Sequence, residues 1–314
     1  MSPPAPPGSA ASSDSADSSD SDSPSSSFPP VGLTAIGVAA IRAAESERPD
    51  RLFDDPYAAG FARAAGDWRR WSTAPTTEEA ARVRGRLISW ITVRTRFLDD
   101  VLLQACAGPC RQVVILGAGL DSRAFRLTWP EGTRLWELDL ADVITFKERV
   151  IRAEGWQPGC QRITVPVDLS EDWGDPLLRA AFDPGAPVAW VAEGLLAYLT
   201  VEGRDALISR VASLSVTGSR MGLTLAPSDR LAAWRRAHPE GTAERGDYVA
   251  LWRSTAPADP TRWLAALGWS AALFDVAERS AAYGRPLGDV DGDGGGDGNA
   301  ARLVDATRLF LAPA

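Results

Sequence analysis

The segment Val113-Val114-Ile115-Leu116-Gly117-Ala118-Gly119-Leu120-Asp121-Ser122-Arg123 constrains this chain more than any other. Four apolar residues in a row predict a buried strand. Two glycines one residue apart then permit a sharp turn and let a ligand lie against the backbone. The polar residues after them predict a helix start. Strand, glycine turn and helix in this order hold nucleotide-like ligands at the carboxyl end of a parallel strand. Gly117, Ala118, Gly119 and Asp121 are therefore candidate binding positions. Many dinucleotide sites share such a turn, so its weight comes from the downstream acids and their distances from it.

Downstream of the turn, strands and helices alternate. Strands are predicted at 112–117, 133–139, 162–168, 187–193 and 219–226, with helices between them at 141–154 and 201–215. This order implies an α/β fold with a parallel sheet covered on both faces. Upstream, Thr34 is placed to cap a helix over 35–45, and Asp54-Asp55-Pro56-Tyr57 starts a short one with Pro56 near its beginning. A long helix is expected from about 77 to 107, capped by Thr76 or Thr77 and ended by Gly108-Pro109. Toward the C-terminus, residues 227–257 are irregular and rich in Arg and Trp. Beyond them come a helix at 259–267 and strands at 269–277 and 302–311, the two strands forming an antiparallel hairpin on the sheet edge.

Residues 1–30 hold twelve Ser, seven Pro and four Asp, a composition that predicts a disordered tail. The remainder, 31–314, reads as a single domain. Its parts are an N-terminal helical section (31–110), a binding core (111–226), a lid-like insertion (227–257) and C-terminal strands (258–314). The loop 289–299 opens like a calcium-binding loop with Asp289, Asp291, Asp293 and Gly294. Position 300 is Ala where a closing Glu is needed, so a flexible hairpin loop is the expected reading.

Three strands end in acids. The second ends Glu137-Leu138-Asp139, about twenty residues after the glycine turn, where a carboxylate accepts from ribose hydroxyls. Asp139, with Leu140 beside it, ends the apolar run and is preferred to Glu137; a helix cap is its competing role. Past the third strand, Asp168 could accept from an adenine amino group while Leu169 packs on the ring, or Asp168 could simply cap a turn. The fourth strand runs into Glu193-Gly194. A carboxylate after such an apolar run is costly unless it is paired or faces a cleft. Ligand crevices in parallel sheets lie outside the carboxyl ends of strands, so all three acids are expected on one rim. Arg94 and Arg96, on the long helix, could pair a ligand carboxylate bidentately or simply face solvent. Arg42 is a weaker candidate of the same kind.

Charge and composition exclude several classes. The net charge of −8 argues against a general nucleic-acid binder. No apolar run approaches the ~20 residues that span a bilayer, and no secretory signal opens the chain. Three cysteines, Cys106, Cys110 and Cys160, show no framework spacing, and one histidine makes a zinc site improbable, so no metal is expected. A reducing cytoplasm is the expected compartment. The single histidine, His238, lies in the lid-like segment as a candidate base; a packing or surface role competes. Trp234, Tyr248 and Trp252 nearby suit an aromatic acceptor or a core.

Together, seven ordered segments resemble the leucine carboxyl methyltransferase superfamily. They are TAIGVAAIRAAE (34–45), RLFDDPYA (51–58), VRTRFLDD (93–100), VVILGAGLDSRAFRL (113–127), WELDLADVITFK (136–147), VPVDLSEDW (165–173) and WVAEGLLAYL (190–199). The match is closest to a bacterial branch of S-adenosylmethionine-dependent methyltransferases that includes polyketide carboxyl O-methyltransferases. It implies a Rossmann-like, seven-stranded sheet with S-adenosylmethionine at the strand tips. It places Gly117, Ala118 and Gly119 at the methionine moiety, Asp139 at the ribose and Asp168 and Leu169 at adenine. Glu193 falls near the amino group and Arg94 at the carboxylate, with Arg96 as a nearby substitute. The implied reaction is methyl transfer to a carboxylate or phenol oxygen of a small molecule. Methylation of a protein C-terminal carboxylate and hydride transfer with a nicotinamide cofactor are the alternatives. A non-catalytic cofactor-binding protein is the rival outside enzymology.

Overall fold

A computed structural model describes residues 30–66, 77–227, 231–232, 235–236, 248–286 and 301–309. Residues 1–29 of the tail expected over 1–30, the calcium-like loop 289–299, Trp234 and His238 lie outside the described residues, and Pro30 begins a helix rather than ending a tail.

Central to the molecule is β1 (Gln112–Leu116), every residue of which is buried. Its side chains alternate between two packed faces. Val113 and Ile115 join one cluster with Leu98, Val101 and Leu102, and Val114 and Leu116 join another with Trp136, Trp190, Leu207 and Val211. A strand buried on both sides needs an unbroken apolar run, which is the pattern the sequence carries. Fully burying each such side chain contributes about 1.5–3 kcal/mol.

The sheet has the order β3-β2-β1-β4-β5-β7-β6. The remaining strands are β2 (Arg134–Asp139), β3 (Gln161–Pro166), β4 (Val188–Ala192), β5 (Arg220–Leu225), β6 (Trp269–Asp275) and β7 (Arg302–Arg308). The first five run parallel, and β7 lies antiparallel between β5 and β6. The expected α/β class, parallel core and antiparallel edge pair are all present. Strand boundaries fall within one to three residues of expectation, but the difference matters. Asp168 and Glu193 lie past the ends of β3 and β4, in turns, where their side chains are free of the ladder.

Helices cover both faces: α1 (Pro30–Ser46), α2 (Ala58–Ala64), α3 (Glu78–Ala107), α4 (Arg123–Arg126), α5 (Ala141–Glu154), α6 (Gly174–Arg179), α7 (Val201–Ser213), α8 (Pro260–Ala266) and α9 (Val276–Ala282). Three expectations are corrected. Helix α1 begins four residues before Thr34, so Thr34 is inside it and is no cap. Pro56 precedes α2, whose first turn is held by Asp55 through its Oδ1, 3.1 Å from the Ala58 amide. The expected strand 269–277 stops at Asp275, whose side chain caps α9 by accepting from the Ala277 and Glu278 amides. Among the described residues no helix is long and apolar enough to cross a membrane.

The chain moves outward from β1 to β2 and β3, then returns to β4 on the other side of β1. That reversal opens a crevice at the carboxyl ends of β1 and β4. The turn after β1 and the turn after β4 therefore meet. A methyl group on Gly117 would sit 3.0 Å from Leu195 Cδ1, and one on Gly119 would sit 3.3 Å from Ala35 Cβ of α1.

Candidate functional site

Gly117 and Gly119 adopt φ of 64° and 47°, in the left-handed region that side chains disfavour. This conformation turns the chain across the tip of β1. It also points the Gly119 amide at Asp139, which accepts from it through Oδ2 at 2.6 Å. The other Asp139 oxygen accepts from the Leu140 amide at 2.7 Å. Asp139 thus ties the tip of β2 to the glycine turn. A carboxylate offers about four lone-pair sites, so two amide contacts leave room for ligand hydroxyls. Burial raises the Asp139 carboxyl above its ordinary range, and the Gly119 and Leu140 amides offset this only in part. Glu137 faces the core instead: it pairs with Lys147 at 2.7 Å and Arg162 at 2.8 Å and has no exposed surface.

At the tip of β3, Asp168 is exposed and accepts from the Ser170 amide and hydroxyl through Oδ1, at 2.8 and 2.7 Å. It does cap its turn, but only one oxygen is used. Leu169 beside it is buried. A cavity of about 340 Å³ opens next to Leu169 and Ser170, between Trp173 and Leu207 of α7.

The β4 tip is built differently. Glu193 pairs with Arg94 Nε through Oε1 at 2.9 Å and with Arg123 Nη2 through Oε2 at 2.8 Å. Burial raises this carboxyl, and the Arg123 and Arg94 guanidiniums reverse the effect and hold it below its ordinary range. Arg94 has its Nε taken, and its two terminal nitrogens have no hydrogen-bond partner among the described residues. They lie over Gly194, where a methyl group would sit 3.2 Å from each. The guanidinium also stands 5.8 Å from the centroid of the Trp90 ring. The result is a fixed fork with two free donors at the crevice.

Behind it lies a network that the sequence did not announce. Arg123 is completely buried. Its Nε bonds Asp99 at 2.7 Å, its Nη1 meets Asp121, and its Nη2 meets Glu193. Asp99 also receives both terminal nitrogens of Arg126 at 2.7 Å. Asp55 accepts from Ser122 Oγ at 2.6 Å and pairs with Arg42 Nε at 3.2 Å. Arg42 also donates to the Leu120 carbonyl, on the glycine turn itself. Four arginines (42, 94, 123, 126) face four acids (55, 99, 121, 193), so the cluster is neutral by count. Asp121, expected on the ligand, instead faces Arg123. Burial opposes its charge, and Arg123, Lys147 and Arg42 more than compensate, lowering it to about 2.

Arg96 is the clear correction. It pairs with Asp100 at 2.9 Å, donates to the Leu52 carbonyl at 2.8 Å and stacks over Tyr283 at 5.3 Å. Positions two apart on a helix do not share a face, so Arg94 and Arg96 cannot serve one site. Arg94, Gly117, Ala118, Gly119, Asp139, Leu140, Asp168, Leu169, Glu193 and Gly194 do converge on the carboxyl ends of β1 to β4. The segment returning from the lid-like region is anchored beside them. The Arg253 and Ser254 amides bond the Ala197 carbonyl at 2.7 and 3.2 Å, and Ser254 Oγ bonds the Leu196 carbonyl at 3.0 Å.

The sequence profile of the leucine carboxyl methyltransferase family matches residues 35–212. A protein of Frankia alni, named as an inferred S-adenosyl-L-methionine-dependent methyltransferase, is 48% identical over 82% of this chain and 88% of its own. One of Streptomyces coelicolor with the same name is 46% identical over 84% of this chain and 93% of its own. Among solved structures, magnesium protoporphyrin IX methyltransferase from Synechocystis PCC 6803 with bound SAH aligns over 80% of this chain and 94% of its own. Its TM-score is 0.44 and its identity 17%.

Proposed function

This chain belongs to the leucine carboxyl methyltransferase family, and from that premise we propose that it is an S-adenosylmethionine-dependent O-methyltransferase acting on a small molecule. The observation that carries this reading is the Arg94 fork. Its two terminal nitrogens, unpartnered among the described residues, lie over Gly194, on the same rim as the glycine turn and Asp139. A guanidinium with two parallel free donors matches a carboxylate, such as that of a methionine moiety. Asp139 retains acceptor capacity for ribose hydroxyls, and the free oxygen of Asp168 with Leu169 suits adenine. The membership ends the nicotinamide alternative.

When bound, S-adenosylmethionine supplies a methyl group already activated on a sulfonium. The protein's share is orientation and dryness. Arg94 and Asp139 fix the two ends of the donor. The half-buried turn at Gly117, with Leu195 packed against it, would shield its middle from water. We assign the acceptor side to residues 227–257, of which Arg253 and Ser254 bond the Ala197 and Leu196 carbonyls at the rim. A carboxylate acceptor is ionised near pH 7 and requires no general base. That suits a chain whose single histidine, His238, lies in this segment; a phenol acceptor would draw on it as a base.

Incubation with methyl-labelled S-adenosylmethionine and a panel of small aromatic and aliphatic carboxylic acids and phenols tests the reading. The expected product carries the label as a base-labile methyl ester, or as a base-stable ether if the acceptor is a phenol. Label recovered in protein C-termini would move the acceptor to a polypeptide. Absence of donor binding would overturn the proposal.

A further inference from the structure

Arg123 lies behind the rim and meets the rim's acids only through Glu193. Its guanidinium is buried beneath Glu193, and its donors go to Asp99, Asp121 and Glu193, with the Thr95 carbonyl a longer contact at 3.4 Å. Burying so many charges is expensive, and a well-packed apolar cluster of similar volume is often at least as stable. The cluster's geometry suggests what it accomplishes instead.

Glu193 has two oxygens and two arginines. Oε2 is held from behind by Arg123, and Oε1 faces forward to Arg94 Nε. Thr95 Oγ1 lies 3.5 Å from the same Oε1. A carboxylate clamped at one oxygen has one orientation left for the other. Arg94 is then fixed at Nε, the atom nearest its stem, and its terminal nitrogens, not bonded to Glu193, lie over Gly194. Arg123 is itself immobile, because Asp99 is locked by the bidentate Arg126 and Asp121 Oδ1 is locked by the Arg123 amide at 2.7 Å.

We propose that Arg123 is a positioning residue: through Glu193 it aims the free fork of Arg94 at the carboxylate of the methyl donor. This rests on the methyltransferase reading above. It also assigns Glu193 a brace's role toward Arg94, in addition to any contact with the donor's amino group. Asp99, Asp121 and Arg126 become the foundation of the brace. The sequence Leu120-Asp121-Ser122-Arg123 then has a purpose beyond the glycine turn, because it returns a cation beneath the rim that the turn itself forms.

The test uses two ligands that differ at the carboxylate. S-adenosylhomocysteine carries the amino acid end, and 5′-methylthioadenosine lacks it but keeps adenine and ribose. Affinities for both are measured by calorimetry on the full chain, for the wild type, Arg123→Met and Arg123→Lys. Lysine keeps the buried charge and preserves the fold where methionine fails to; thermal melts report which variants are folded. The expected result is a loss of about 10- to 100-fold in S-adenosylhomocysteine affinity, with 5′-methylthioadenosine changed by less than about threefold. Arg94→Met should show the same selective loss, and the double variant should lose little more than either single one. A purely structural Arg123 would weaken both ligands alike. Equal losses on both ligands, or none on either, would overturn the proposal. If the wild type binds neither ligand, the methyltransferase reading itself fails and this inference goes with it.

Discussion

On the β2–β3 side of the glycine turn, Asp139 and Asp168 are held by backbone amides and a serine hydroxyl. On the β4 side, Glu193 is held by two guanidiniums. All three acids end neighbouring regions of one sheet edge, yet their partners give them different work. Amide contacts are short and local, and they leave part of a carboxylate open to a ligand. Arginine contacts consume a carboxylate and make it a support for the cation. An acid at a strand tip therefore identifies the rim, and only its partners reveal whether it receives a ligand or orients another side chain.

The largest effect that would break this contrast is on stability. Arg123→Met leaves Asp99, Asp121 and Glu193 buried with less compensation, and it should cost about 3–5 kcal/mol in urea unfolding. A loss under about 1 kcal/mol would mean that the β4 side is not the tightly coupled cluster described. Acid sharpens the same point. Asp121 titrates at about 2 in the folded chain, against an ordinary 3.8. A lowered carboxyl stabilises the fold above its unfolded pKa, and that contribution disappears as pH falls through the folded one. Stability should drop between about pH 4 and pH 2, and Asp121→Asn should flatten that part of the profile.

On the open side the effect should fall on binding instead. Asp139→Ala should weaken S-adenosylhomocysteine by about 1–3 kcal/mol in calorimetry, because a ligand hydroxyl loses its acceptor. Unchanged affinity would remove Asp139 from the site. The smallest effect belongs to Arg96. Its ion pair with Asp100 is partly exposed, so Arg96→Ala should cost at most about 1 kcal/mol of stability and leave donor affinity alone. A fall in affinity would restore Arg96 as a ligand contact.

The open side was legible in the sequence, and the closed side was largely not. Apolar runs ending in glycine or an acid located β1 to β4 and placed Asp139, Asp168 and Glu193 on one rim. Local chemistry sufficed for Asp139 and Asp168, which are held by neighbours close in sequence or by the glycine turn. The brace depends on contacts that no window of sequence contains. Arg123 meets Asp99 across 24 positions, and Arg94 meets Glu193 across 99. Read locally, Arg123 is an ordinary residue in the first turn of a helix. Its signal was indirect: Asp55, Asp99 and Asp121 all fall inside the family-like segments. The choice between Arg94 and Arg96 was open to helical geometry only once the buried face of α3 was known. Helix α9 did leave a signal, Asp275 three residues before Glu278, but the strand pattern before it ran on and hid it.

The most direct measurement is a crystal structure of the full chain grown with S-adenosylhomocysteine. The account predicts the ligand across the tips of β1 to β4, its carboxylate on the two terminal nitrogens of Arg94 and its ribose on Asp139, with Glu193 still clamped by Arg123. A ligand bound elsewhere, or an Arg94 turned away from its carboxylate, would contradict it.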